Sequence, residues 1–186
     1  MGLMVHSIAK MPKHSEKDYY IYLLDYGWKG SLGAVLFENF DKLSSYASEN
    51  NFVVLRGTPG SHFEDEVFSW HGINGDSDPD LLPSILITTI NPHYFSRDRA
   101  EPAAKENEYM LLIPLKRTCK SESDVSDLID KLIKNILSKD NLRDFSIVKT
   151  TKKSKLKAAI SCIILQPNIA GIGVDLKNIP KLFTDK

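Results

Sequence analysis

Arg56-Gly57-Thr58-Pro59-Gly60-Ser61 is the stretch whose residue types come closest to chemistry. It joins an apolar run, residues 52–55, to a segment with helical spacing. Backbone N–H groups and the dipole at a helix start can hold an anion, and Arg56 adds a guanidinium able to clamp it in bidentate fashion. Thr58, Ser61 and His62 supply further donors. The lysine of a G-x-x-x-x-G-K-[ST] phosphate loop is missing. The plainer reading is a strand-to-helix turn whose serine caps the helix. Both readings stand, with the turn the better supported.

Other groupings carry less. His62, Glu64, Glu66 and His71 invite a metal, but at 100° per residue His62 and His71 fall about 180° apart on a helix. Only His62 and Glu66 share a face, and H-E-x-x-H is absent. Gly171-Ile172-Gly173 has Leu176 where a dinucleotide fingerprint needs its third glycine. There is no G-x-S-x-G elbow. Cys119 and Cys162 stand far apart, in no ligand spacing and beside no base, and Cys162 reads as core. Lys149, Lys152, Lys153, Lys155 and Lys157 could touch phosphates, but the cluster lacks aromatics for stacking bases and reads as a solvated loop. No metal, cofactor or catalytic residue is expected.

The elements that must position these groups are clearer. Tyr19-Tyr20-Ile21-Tyr22-Leu23-Leu24-Asp25 is a near-continuous apolar run, as in a strand covered on both faces. Leu32, Leu36, Phe40, Leu43 and Ala47 predict one helix over residues 31–49. A second strand covers residues 52–55, and β-α-β in this order makes a parallel pair. Ser61 and Glu64 stand in the relation of a capping box, with Glu64, Asp65 and Glu66 in the first turn. Phe63, Val67 and Trp70 form the apolar face of a helix over residues 62–71, with His71 compensating the dipole at its end. A third strand follows Pro83 over residues 84–89. The fourth covers residues 109–115, its proline fitting an edge or a strand end. Val125, Leu128, Ile129, Leu132, Ile133, Ile136 and Leu137 predict a long helix capped by Ser121 or Ser123. Residues 145–149 and 158–165 read as further strands, and the tail as turns with one short strand or helical turn.

The expected fold is α/β, a three-layer αβα arrangement on a mixed sheet. A polar, loosely held arm covers residues 1–18, the α/β domain residues 19–138, and a β-rich extension residues 139–186 of the same domain. The order β-α-β-α-β-β-α resembles the thioredoxin-like fold, as does a proline directly before the third strand. Thioredoxins carry Cys-x-x-Cys after the first strand; this chain has Gly27-Trp28-Lys29-Gly30, and a longer excursion between strands three and four. A flavodoxin-like doubly wound sheet is the alternative. In either, the ends of the first two strands meet at one rim, which gathers Asp25, Trp28, Arg56, Thr58, Ser61 and His62. Trp28, between two glycines, is the candidate exposed anchor.

Lys+Arg 24 and Asp+Glu 24 cancel, so no global field steers the chain to nucleic acid or a membrane. The halves differ: residues 1–115 carry 9 basic and 16 acidic side chains, residues 116–186 carry 15 and 8. No apolar run approaches the ~18 residues of a membrane span, the N-terminus is too polar for a signal peptide, and two free thiols suit the cytosol. These features point to a non-catalytic, protein-binding or regulatory accessory subunit of a bacterial-type cytoplasmic multi-protein system, for which antiviral defence is one setting. The alternative is a protein or enzyme that binds a nucleotide or another phosphorylated small molecule at the Arg56–Ser61 turn.

Overall fold

The structure, a computed structural model, describes residues 1–11, 16–71, 73–74, 81–95, 110–141, 145, 163–165 and 174–175. Its centre is β2, Tyr19–Leu24, in which all six residues are buried. Side chains alternate across a strand, so Tyr19, Ile21 and Leu23 enter one core while Tyr20, Tyr22 and Leu24 enter another. The unbroken apolar run is therefore the signature of a central strand.

β2 lies between β3, Phe52–Gly57, and β5, Ser84–Thr88. The sheet order is β1-β3-β2-β5-β6-β7, with β1 at Gly2–Val5, β6 at Met110–Pro114 and β7 at Ile163–Leu165. β1, β3 and β2 run parallel; the pairs β2–β5, β5–β6 and β6–β7 are antiparallel. The sheet is mixed and the class is α/β. Leu82-Pro83, directly before β5, is a cis peptide bond. A separate two-residue pairing joins β4, Ile73–Asn74, to β8, Val174–Asp175.

The first core packs α1 (Ser31–Glu38), α2 (Phe40–Glu49) and α5 (Glu122–Leu137) on one face of the sheet. The second packs α3, Phe63–Trp70, and the turn at Ile8–Lys10 on the other. In α5 a capping box of Ser121 and Asp124 closes the start. Val125, Leu128, Ile129, Leu132, Ile133 and Ile136 are buried, each stabilising by about 1.5–3 kcal/mol. Packing therefore outweighs the cap, whose removal costs about 1 kcal/mol. α4, Leu115–Thr118, is a short turn between β6 and α5.

Several expectations need correction. Residues 1–18 are not wholly a loose arm: Gly2–Val5 is an edge strand paired with β3, and Ile8 is buried. The helix expected over residues 31–49 breaks at Asn39, whose Nδ2 donates to Val35 O at 2.9 Å; a side chain bonding the preceding turn competes with the helical ladder. Leu137 is exposed and leaves the α5 stripe. Ser61 is not a helix cap. α3 starts at Phe63 after His62, and Ser61 Oγ donates to Thr58 O at 2.7 Å inside the turn. His71 is buried against Tyr22, with ring centroids 5.0 Å apart. Its Nδ1–H donates to Val67 O at 2.7 Å, and burial pulls its pKa down to about 4. A neutral imidazole does not compensate a dipole.

The proline of the fourth strand, Pro114, ends it. Phe145 is buried against Tyr19. The expected strand continuation over residues 146–149, the lysine cluster, Cys162 and Gly171-Ile172-Gly173 lie outside the described residues.

Candidate functional site

The carboxyl ends of β2 and β3 frame a cavity of about 490 Å³. Asp25, Tyr26, Gly27 and Trp28 form one wall, Phe37 and Glu38 of α1 a second, and residues 57–62 with Glu64 a third. Five of the six residues expected at this rim line it: Asp25, Trp28, Thr58, Ser61 and His62. Arg56 does not. Residues alternate along β3, and the Arg56 side chain leaves on the α1–α2 face. There its guanidinium carbon lies 3.9 Å from the Phe37 ring centroid and 4.4 Å from that of Phe40. Nη2 contacts Met4 Sδ at 2.8 Å, and Nε and Nη1 have no hydrogen-bond partner. Burial lowers its pKa, against the charge of Asp41. Arg56 is thus a cation stacked on two phenylalanines, placed away from the turn it was expected to serve.

The loop after β2 has an unusual backbone. Gly27 has φ +134° and Trp28 φ +61°. A left-handed conformation is unfavourable for a bulky L-residue and persists only where surroundings hold it. The half-buried Trp28 ring packs against the first core and against Phe37, centroids 5.5 Å apart. Tyr26 beside it is exposed, and its hydroxyl donates to Asp65 Oδ1 across the cavity mouth.

Two carboxyl groups stand in the walls. Asp25 is half-buried; burial raises its pKa, opposed by the N–H groups of Tyr26 and Trp28 and by the charge of Lys116. Glu64 is only 3% exposed. Burial raises its pKa as well, opposed by its own N–H and that of Asp25, while the charges of Asp65 and Asp25 push it further up. Its Oε2 is buried without a hydrogen-bond partner. The capping-box spacing accounts for an acid in the first helical turn but not for its burial. The overlooked signal is Phe68, four residues on and also buried, which puts Glu64 on the inward face of α3.

The loop between β3 and α3 is tied inward. Thr58 N–H donates to Val5 O at 3.0 Å, the Thr58 hydroxyl lies 3.3 Å from His6 Nδ1, and Ser61 N–H also bonds Thr58 O. His62 is the exposed corner, 3.4 Å from Asp65. Glu66, the one residue sharing a face with His62, accepts from Ser7 Oγ at 2.6 Å and Ile8 N–H at 2.9 Å. Among the described residues no group of three or more His, Cys, Asp or Glu is placed to hold a metal ion. No described helix is long and apolar enough to cross a membrane.

The arrangement is an aromatic-rimmed cleft with carboxyl groups in its walls. In comparisons with known proteins, no family model, no curated protein and no solved structure matches this chain.

Proposed function

We propose that the protein is a non-catalytic binding subunit that takes a segment of a partner protein into the cleft lined by Asp25 and Glu64. The observation that carries this is the placement of Trp28. A large aromatic ring is held half-exposed at a cavity mouth by a left-handed backbone, with Phe37 at its side and the exposed Tyr26 next to it. Aromatic anchors at a concave site are the residues that dominate protein interfaces.

A thioredoxin-like scaffold fits this reading. Strands β3, β2, β5 and β6 are neighbours in that order, β5 runs against both of its neighbours, and Pro83 precedes β5. A flavodoxin-like sheet is parallel throughout its core, which β5 does not suit. On this scaffold the segment Gly27-Trp28-Lys29-Gly30 stands where thioredoxins have their cysteine pair, so a binding loop takes the place of a redox centre. A cytosolic accessory role, antiviral defence included, is the setting we propose for it.

Nucleotide or phosphate binding at the same rim is the weaker reading. Arg56 faces Phe37 and Phe40, and Asp25, Glu38 and Glu64 are wall residues.

Quantitative affinity purification with the parent chain and Trp28→Gly tests the proposal. Glycine removes the ring and accepts the left-handed backbone, so the variant should fold. Proteins recovered with the parent should fall at least tenfold with Trp28→Gly. An identical set at identical yield would contradict the proposal. A nucleotide that raises the melting temperature of the parent, at concentrations where inorganic salt does not, would favour the phosphate reading.

A further inference from the structure

We infer that the group entering the cleft is an organic cation, the guanidinium or ammonium of an arginine or lysine side chain of the partner. This rests on the reading of the cleft as a partner site and adds the chemistry of its occupant. The first observation is Glu64: a carboxylate 3% exposed, in the cavity wall, with Oε2 buried and lacking a hydrogen-bond partner. The carboxylate accepts from the N–H groups of Glu64 and Asp25, but buried polar groups are almost always paired, and an oxygen left without a partner has room for one. The second is Asp25, which also lines the cavity and whose backbone N–H already serves Glu64. The two carboxyl groups therefore stand side by side. The third is the rim. Trp28 lines the cavity there, and an aromatic face attracts cations and disfavours anions.

Among the described residues, no lysine or arginine lines the cleft. Arg56 is stacked on Phe37 and Phe40 and is not a lining residue, and the charge of Lys116, on α4, opposes the burial of Asp25 without reversing it. Burial pushes both carboxyl groups up; a cation seated between them would bring both down. A phosphate would meet two carboxyl groups instead.

The test needs no knowledge of the partner. n-Butylguanidinium chloride is titrated into the folded full chain carrying Trp70→Phe, so that Trp28 is the fluorescent reporter. The neutral isostere n-butylurea, sodium chloride and sodium phosphate are the comparisons. The expected result is a saturable change in Trp28 emission with butylguanidinium, at least tenfold weaker with butylurea and absent with either salt. Glu64→Gln and Asp25→Asn, checked for folding by circular dichroism, should each weaken butylguanidinium at least tenfold. Equal responses to butylguanidinium and butylurea would overturn the inference, whatever the variants do. So would saturation by phosphate, or unchanged affinity in a folded Glu64→Gln. If butylguanidinium binds while Trp28→Gly keeps every partner, the cation site stands and the partner reading fails. If butylguanidinium does not bind while Trp28→Gly loses its partners, the partner reading stands and this inference fails.

Discussion

The Asp25 carboxylate occupies the space that a side chain at Gly33 would need: a Cβ there would lie 2.1 Å from Asp25 Oδ2. The first turn of α1 is thus built around an acid of the cleft. Gly33→Ala should favour the helix by up to about 1 kcal/mol but displace Asp25 from the Tyr26 and Trp28 N–H groups that it accepts from. Hydrogen bonds to a charged group are worth about 1.5–3 kcal/mol, so the single variant should lose stability. In an Asp25→Ala background the same change should gain stability. Urea midpoints of the four proteins measure this. Identical effects of Gly33→Ala in both backgrounds would mean that the carboxylate does not rest there.

Gly57, at the end of β3, is constrained by the core. A Cβ would stand 2.6 Å from Phe63 Cβ and 3.0 Å from Ser61 Oγ. Phe63 is fully buried and cannot retreat. Gly57→Ala should therefore destabilise by about 1–3 kcal/mol, the range for overpacking. A denaturation midpoint equal to the parent's would show that the loop shifts freely.

His71 predicts a pH dependence. Its folded pKa is about 4, depressed from 6.5 by burial. The unfolded chain binds a proton first, so the stability His71 contributes is complete above pH 6.5, declines as pH falls, and is lost once pH passes about 4. The loss amounts to up to about 3 kcal/mol. Asp25 and Glu64 act in the opposite sense. Their raised carboxyl pKa values contribute stability below the ordinary carboxylate range that is lost as pH rises through the folded values. His71→Gln should flatten the decline between pH 6.5 and 4 in chemical denaturation. A variant with the parent's slope would mean that the fold accepts a charged imidazole.

Ser121→Ala should lower stability by about 1 kcal/mol, because the Asp124 N–H loses the acceptor it has at 3.3 Å. An unchanged midpoint would leave α5 held by packing alone.

Two capping-box spacings, each read as a helix start, show where sequence reading succeeds and fails. Ser121 and Asp124 form the box. Ser61 and Glu64 have the same spacing, but Gly60 at φ +79° turns the chain there and the helix opens one residue late, at Phe63. The pattern encodes local hydrogen-bonding capacity, and tertiary packing of Phe63 decides which residue begins the helix. The central strands were legible because burial on both faces leaves no polar residue in residues 19–24. β1 was not, because an edge strand of four residues, GLMV, carries little periodicity. The rim residues were legible from the topology of a parallel pair. The direction of Arg56 was not: strand alternation sends it to Phe37 and Phe40, and the register of β3 fixes that phase. Glu64 was hidden by its own first-turn position, which favours acids whether they are buried or exposed.

The most direct measurement of the central claim places a photo-crosslinking benzoylphenylalanine at Tyr26, on the cleft rim, and separately at Tyr46 on α2. Tyr46 is also exposed and is not among the cleft-lining residues. With irradiation of the native cells, the account predicts a discrete crosslinked protein from position 26 that is absent from position 46. Trp28→Gly in the same chain should abolish it. Crosslinks from position 46 alone, or crosslinks from position 26 that survive Trp28→Gly in a folded chain, would contradict the assignment of the cleft as the binding site.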